Sequence, residues 1–227
     1  MITLYFHTSP NPMKVLLGLE EMGLDYTITP IDTFRGQQHD AAFRRINPNG
    51  KLPAITDGDK AVFDSAAILL YLSEKTGKFG GRPEDRSALL SWLMFIATGV
   101  GPYSGQAYHF NHVHKDSAYA TNRYQREAAR HYQVLDAQIG GDNAIVGNQY
   151  SIVDIAALPW IGLADGVLGR KNALSAYPNL QRWYEENSAR PAMVRAIEKS
   201  KGFNFKAEFD EETVRALFPQ NFPEAAE

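Results

Sequence analysis

Asp64 and Ser65 stand side by side at the head of an apolar run, and a short way upstream Leu52-Pro53 follows an Asn-Gly turn. A carboxylate beside a hydroxyl at a helix start can hold both charges of an amino-acid head. Asp64 would take an ammonium. Ser65 and the free N–H groups of the first helical turn would take a carboxylate. If the Leu52-Pro53 bond is cis, the Leu52 amide and carbonyl turn outward, where they can pair with an extended peptide. Only about 5–6% of X-Pro bonds are cis, so the sequence leaves the isomer open. The chemistry these residues suit is recognition of a small peptide by its charged head and its backbone.

The elements that must position them can be read from the pattern. Ile2 to Phe6 is a short apolar strand, and Asn11 and Pro12 suit the N-cap and first residue of a helix. Val15, Leu16, Leu19 and Met22 follow at helical spacing, with Gly23 as the stop. Asp25 to Pro30 alternates as a second strand, and Phe34 to Arg45 reads as a short irregular helix. After the Asn47-Pro48-Asn49-Gly50 turn, strands starting at Leu52 and at Ala61 flank Asp57-Gly58-Asp59. Ser65 to Thr76 is apolar nearly all round, which predicts a helix buried on both sides. The order β-α-β-α-β-β-α over residues 1–77 matches a thioredoxin-like α/β domain.

Residues 78–85, rich in Gly and Pro, read as a linker. Residues 86–200 read as an all-helical domain. Gly99-Val100-Gly101-Pro102 should break one helix, and Ser151-Ile152-Val153-Asp154 looks like a capping box with Asp in the usual Glu position. The apolar helix behind it carries Pro159, which predicts a kink. Residues 201–227 read as a tail, loose from Pro219 to Glu227.

Composition removes several classes of function. The 227 residues carry 44% hydrophobic and 22% charged residues and a net charge of −3, giving no basis for binding nucleic acid or an anionic membrane. The first residues lack a basic, apolar leader, so the expected location is cytoplasmic. There are no cysteines. That rules out disulfides, Cys-zinc sites and Cys-X-X-Cys pairs, and any thiol chemistry must use sulfur carried in by a ligand. No phosphate loop, dinucleotide fingerprint or G-x-S-x-G is present.

The run N-x-x-G-K-L-P-A-I…F-D-S-A-A-I-L-L-Y-L resembles the glutathione-binding half of the cytosolic glutathione transferases. G-P-Y-S-G-Q-A-Y-H-F-N-H at 101–112 and N-R-Y-Q at 122–125 are most similar to the Nu-class branch and its fungal regulator relatives. The resemblance implies that Leu52, before Pro53, pairs with the cysteinyl backbone of glutathione, and that Asp64 and Ser65 grip its γ-glutamyl end. Lys51 and Gln38 would meet the glycine carboxylate, and Arg123 would pair with a glutathione carboxylate. It also implies two bound glutathiones and a homodimer.

A thiol of pKa near 8.5 is only a few per cent thiolate at pH 7. Lowering it by about two units takes roughly 2.7 kcal/mol, within reach of one or two hydrogen bonds to the anion. Asn11, Ser9 and Thr8 are the donors at the first helix, with Asn11 preferred for its amide NH₂ and Ser9 matching the family arrangement. Tyr5 reads as core and His7 as structural. Tyr103, Gln106, Tyr108, His109, Phe110 and His112 form an aromatic, polar wall, of which Tyr103, Gln106 and His109 are assigned to a second-substrate pocket. His109, His112 and His114 lack a carboxylate at ligand spacing, so no metal is expected. The expected activity is glutathione-dependent disulfide reduction; conjugation to electrophiles, peroxide reduction, or regulatory glutathione binding with little turnover are the alternatives.

Overall fold

The computed structural model describes residues 1–222. Strand β1 (Ile2–Phe6) leads into helix α1 (Pro10–Met22), and β2 (Tyr26–Pro30) returns parallel to β1 in register Ile2 to Tyr26 and Phe6 to Pro30. Two 3-10 turns, Thr33–Arg35 and Gln37–His39, and a one-turn helix α2 (Ala41–Arg44) follow. Strands β3 (Ala54–Asp57) and β4 (Lys60–Phe63) form an antiparallel hairpin, giving the sheet order β2-β1-β3-β4. Helix α3 (Ser65–Thr76) closes this half of the chain. The remainder is helical: α4 (Arg86–Phe95), α5 (Gly101–His112), α6 (Ala118–Ile139), α7 (Ile152–Ile161), α8 (Ala164–Leu168), α9 (Pro178–Ser188), α10 (Pro191–Ser200) and α11 (Glu211–Leu217). This is the thioredoxin-like half followed by the helical half that the pattern predicts. Among the described residues no helix is long and apolar enough to cross a membrane.

The two halves share one core. Leu4 and Phe6 of β1 and Leu16, Leu17 and Leu19 of α1 are fully buried, and α1 packs on α3, α7 and α10. A Cβ at Gly18 would come within 2.6 Å of Leu69, so the glycine lets α1 and α3 approach closely. All of α7 is buried, which matches its unbroken apolar sequence. Its capping box is complete: Ser151 Oγ accepts from the Val153 N–H, and the Ser151 N–H donates to Asp154 at 2.9 Å. Asp154 also accepts from the Ile145 N–H and the Trp183 indole, both at 3.0 Å. Pro159 lies inside the helix.

Four local readings differ from the structure. First, α1 begins at Pro10 with Ser9 as N-cap, because Pro10 rather than Pro12 takes the first helical position and the Ser9 carbonyl accepts the first intrahelical bond from Met13. Second, the Gly99–Pro102 segment does not break the helix. Residues Ile96–Val100 form a single π turn that runs on into α5, with the Gly101 N–H reaching back to the Ile96 carbonyl, and this wider turn accommodates Pro102. Third, α3 buries Ile68, Leu69 and Leu72 but leaves Leu70 and Tyr71 half-buried, because the Tyr71 hydroxyl reaches out to Asp57 at 2.7 Å. Fourth, the tail after Lys201, where no periodic pattern is read, is docked on the first half of the chain. Phe203 and Phe205 pack on Phe6 and His7, the Lys206 N–H donates to Asp32, and Asp210 caps α11. Of the loose segment read from Pro219, residues Pro219–Asn221 form a 3-10 turn and residues 223–227 lie outside the described ones.

Candidate functional site

A cavity of about 910 Å³ opens where α1, the β3–β4 hairpin, α3, α5, α7 and the tail meet. Its floor comes from the first half of the chain. Asn47 is buried, donates its amide to the Lys51 carbonyl at 2.6 Å and accepts from the Asn49 N–H at 3.0 Å, which fixes the turn. Gly50 sits at φ 62°, a conformation that a side chain would strain. Lys51, Leu52 and Pro53 follow along the cavity wall, and the Leu52-Pro53 bond is cis. Asp64, at φ 72°, caps α3 by accepting from the Ala66 and Ala67 N–H groups at 2.9 and 3.1 Å through one carboxylate oxygen. Two of the N–H groups expected to be free for a ligand are therefore already engaged. The second Asp64 oxygen and the Ser65 hydroxyl remain at the cavity.

Lys14 is the residue that sequence reasoning missed. It lies inside α1, is only 2% exposed, and lines the cavity. Its ammonium donates to Ser65 Oγ at 3.5 Å and makes no ion pair among the described residues. Burial holds its pKa down to about 8, against the pull of Asp64. A buried amine without an ion pair is costly, and this one stands against Ser65, within the field of Asp64, at the cavity. Its position on α1, four residues before the buried Gly18 contact with α3, gave the only sequence signal.

Asn11 also lines the cavity. Because Ser9 caps α1, the Asn11 side chain is free of capping. Its oxygen accepts from the Trp160 indole N–H at 3.0 Å, and its NH₂ has no protein partner among the described residues. Ser9 is half-buried, makes no side-chain capping bond and does not line the cavity, and Thr8 is exposed. Tyr5 lies half-buried on β1 beside Phe43. His7 is buried, with its ring 4.4 Å from that of Phe205 and 5.3 Å from that of Phe34, and burial lowers its pKa against the charge of Asp32.

The opposite wall is α5 and the tail. Gln106, His109 and Phe110 line it, as do Phe218, Gln220 and Asn221. The His109 ring meets Phe218 edge-on at 4.9 Å, and burial lowers its pKa, with His114 adding to the effect. Besides Ser9, three assigned residues lie elsewhere. Tyr103 stacks on His131 at 5.1 Å and does not reach the cavity. Gln38 is buried and donates to the Ala216 carbonyl at 2.9 Å, holding the tail. Arg123 pairs with Glu127 at 3.1 Å on the surface of α6. Of the other histidines, His112 bonds the Gly166 carbonyl, and among the described residues no group of three or more potential ligands could hold a metal.

This fold is that of a known family. Residues 8–75 match the model of the glutathione S-transferase N-terminal domain and residues 118–186 that of its C-terminal domain. The chain belongs to the glutathione S-transferase family and is a glutathione transferase-like enzyme. It is 41% identical to the disulfide-bond oxidoreductase YfcG of Escherichia coli over 88% of this chain and 96% of that protein. Among solved structures it is similar to a Pseudomonas fluorescens glutathione transferase family member with two glutathiones bound, at 35% identity and a TM-score of 0.81, covering 87% of this chain and 92% of that one. A Pseudomonas putida glutathione transferase with one glutathione disulfide bound per subunit matches at 31% identity and a TM-score of 0.81, covering 87% and 90%.

Proposed function

We propose that the protein is a glutathione-dependent disulfide reductase that works without a thiol of its own. The observation that carries this reading is the Asn11 amide: its oxygen is committed to Trp160, so its NH₂ is an unpaired donor in a cavity with no protein sulfur. A glutathione sulfur beside that donor is stabilised as thiolate. It attacks one sulfur of a disulfide, releases the other as a thiolate and leaves a mixed disulfide. A second glutathione thiolate attacks the glutathionyl sulfur of that species, so one molecule of glutathione disulfide and two reduced thiols are formed. A cavity of about 910 Å³ lies at the upper end of the roughly 300–1,000 Å³ usual for ligand pockets, which suits the second thiol or disulfide.

In this assignment Lys14 and the Ser65 hydroxyl take the γ-glutamyl carboxylate, and the free Asp64 oxygen takes its ammonium. The Leu52 backbone pairs with the cysteinyl unit and Lys51 meets the glycine carboxylate. Gln106 and His109 face the second substrate. Gln38, Arg123 and Tyr103 are left out, since each is committed elsewhere in the protomer, and so is Ser9, which does not line the cavity. The family resemblance supports a homodimer, which sedimentation would test.

The test is glutathione-dependent reduction of hydroxyethyl disulfide, coupled to NADPH consumption by glutathione reductase. Turnover well above the uncatalysed exchange, falling about 10²-fold in Asn11→Ala, is the expected result. Glutathione binding with no turnover would overturn it. That outcome would favour the second reading, a binding protein, which is supported by 29% identity to the transcriptional regulator URE2 of Saccharomyces cerevisiae over 86% of this chain.

A further inference from the structure

Asn11 alone does not determine which face it shows a ligand. A side-chain amide has a donor end and an acceptor end of nearly equal size, and rotating it by half a turn replaces an attractive N–H with a repulsive carbonyl. We infer that Trp160 is the positioning residue that settles this: its indole N–H holds the Asn11 oxygen and thereby turns the NH₂ toward the thiolate. The inference rests on the reading of Asn11 given above and adds to it the group that makes Asn11 a donor.

Three observations support the assignment. An indole nitrogen can only donate, so the atom 3.0 Å from Trp160 Nε1 must be the Asn11 oxygen. Trp160 is itself held firmly. It stands on the fully buried α7 and is only 9% exposed, so its ring has little freedom to turn away. The ring also lies on a bed made by α5: a Cβ at Gly101 would come within 3.1 Å of the indole nitrogen, and one at Gly105 within 3.4 Å of the far edge of the ring. Two glycines one helical turn apart thus leave a flat surface for the indole. The G-P-Y-S-G segment has its physical reason here.

The test compares Trp160→Phe, Asn11→Ala and the double variant. The thiol pKa of bound glutathione is read from absorbance near 240 nm across pH, and kcat/KM for a small disulfide from its pH profile. Phe keeps the ring on the glycine bed and removes only the N–H. In Trp160→Phe the bound thiol pKa should rise and kcat/KM at neutral pH should fall about ten-fold, with the Kd for glutathione changed less than two-fold. In the Asn11→Ala background the same substitution should add nothing. An unchanged thiol pKa in Trp160→Phe, with Asn11→Ala still impaired, would overturn the inference and leave the reading of Asn11 standing. An equal loss in both backgrounds would make Trp160 a wall of the pocket and also overturn it. If Asn11→Ala binds glutathione with an unaltered thiol pKa, the underlying reading of Asn11 fails instead. Should Trp160→Phe not fold, the wild-type indole N–H resonance that shifts on Asn11→Ala provides the check. It should exchange slowly with solvent, and rapid exchange would refute the hydrogen bond.

Discussion

At the scale of single residues, Lys14 shows what burial does to an ordinary side chain. Its ammonium is charged at neutral pH although it is enclosed and has only one weak hydrogen bond. Its folded pKa, about 8, lies below the roughly 10.4 of an unfolded lysine. Between those values the unfolded chain binds more protons, so stability rises with pH across that window, by up to roughly 3 kcal/mol. Urea unfolding of the ligand-free protein at pH 7.5 and 10 would show the rise, and Lys14→Met should abolish most of it. The same variant should be more stable than wild type at pH 7 and should bind glutathione at least ten-fold more weakly by calorimetry. Stability gained with unchanged binding would remove Lys14 from the ligand site. Apart from its place one turn before Gly18, nothing in the sequence separated this lysine from the solvated lysines of any amphipathic helix, because its burial comes from elements packed on α1, α3 among them. Asp64 and Ser65 were legible, since a helix start advertises itself locally. The engagement of two N–H groups by Asp64 was not, because it depends on a positive φ.

At the scale of elements, α1 joins the two halves through its last turn. Glu20 accepts from Lys199 and Arg195 of α10 and from the Tyr26 hydroxyl, and Glu21 holds Arg190 in a two-pronged pair at 2.6 and 3.0 Å. Burial would raise the Glu20 pKa, but these donors outweigh it and hold it down to about 2. A depressed carboxylate contributes stability above its unfolded pKa of about 4.3, and that contribution is lost as pH falls toward 2. Acid unfolding followed by circular dichroism should therefore move to higher pH in Glu20→Gln, with a cost at pH 7 on the order of 2–3 kcal/mol. Asp154 gives a second case. Replacing it with Ala strands the Ile145 and Ser151 N–H groups and the Trp183 indole inside the core, and thermal melts should show a loss of roughly 3–5 kcal/mol. The capping box was readable because its partners lie three residues apart. Trp183 was not, since it reaches Asp154 from another helix.

At the scale of the whole molecule, the described part of the tail crosses back over the first half of the chain and reaches the cavity. Gln38 and His39 both bond the Ala216 carbonyl, and Phe218, Gln220 and Asn221 become part of the wall. A chain ending at residue 202 should keep its helical circular dichroism but release glutathione several-fold faster in stopped-flow measurements; an unchanged release rate would make the tail mere packing. The tail was illegible because α11 is seven residues long and packs on the distant 3-10 turn at Thr33–Arg35, while Phe203 before it packs on Phe6 of β1. The absence of sulfur from the cavity wall has a consequence for endurance. An enzyme with a resident thiol keeps the same nucleophile through every cycle and loses it for good once peroxide carries it to the sulfinic stage. Here, on the mechanism proposed, the nucleophile arrives fresh with each turnover and leaves as product. Treatment with iodoacetamide or hydrogen peroxide, followed by removal of the reagent, should leave full activity: the vulnerable atom belongs to the consumable and never to the tool.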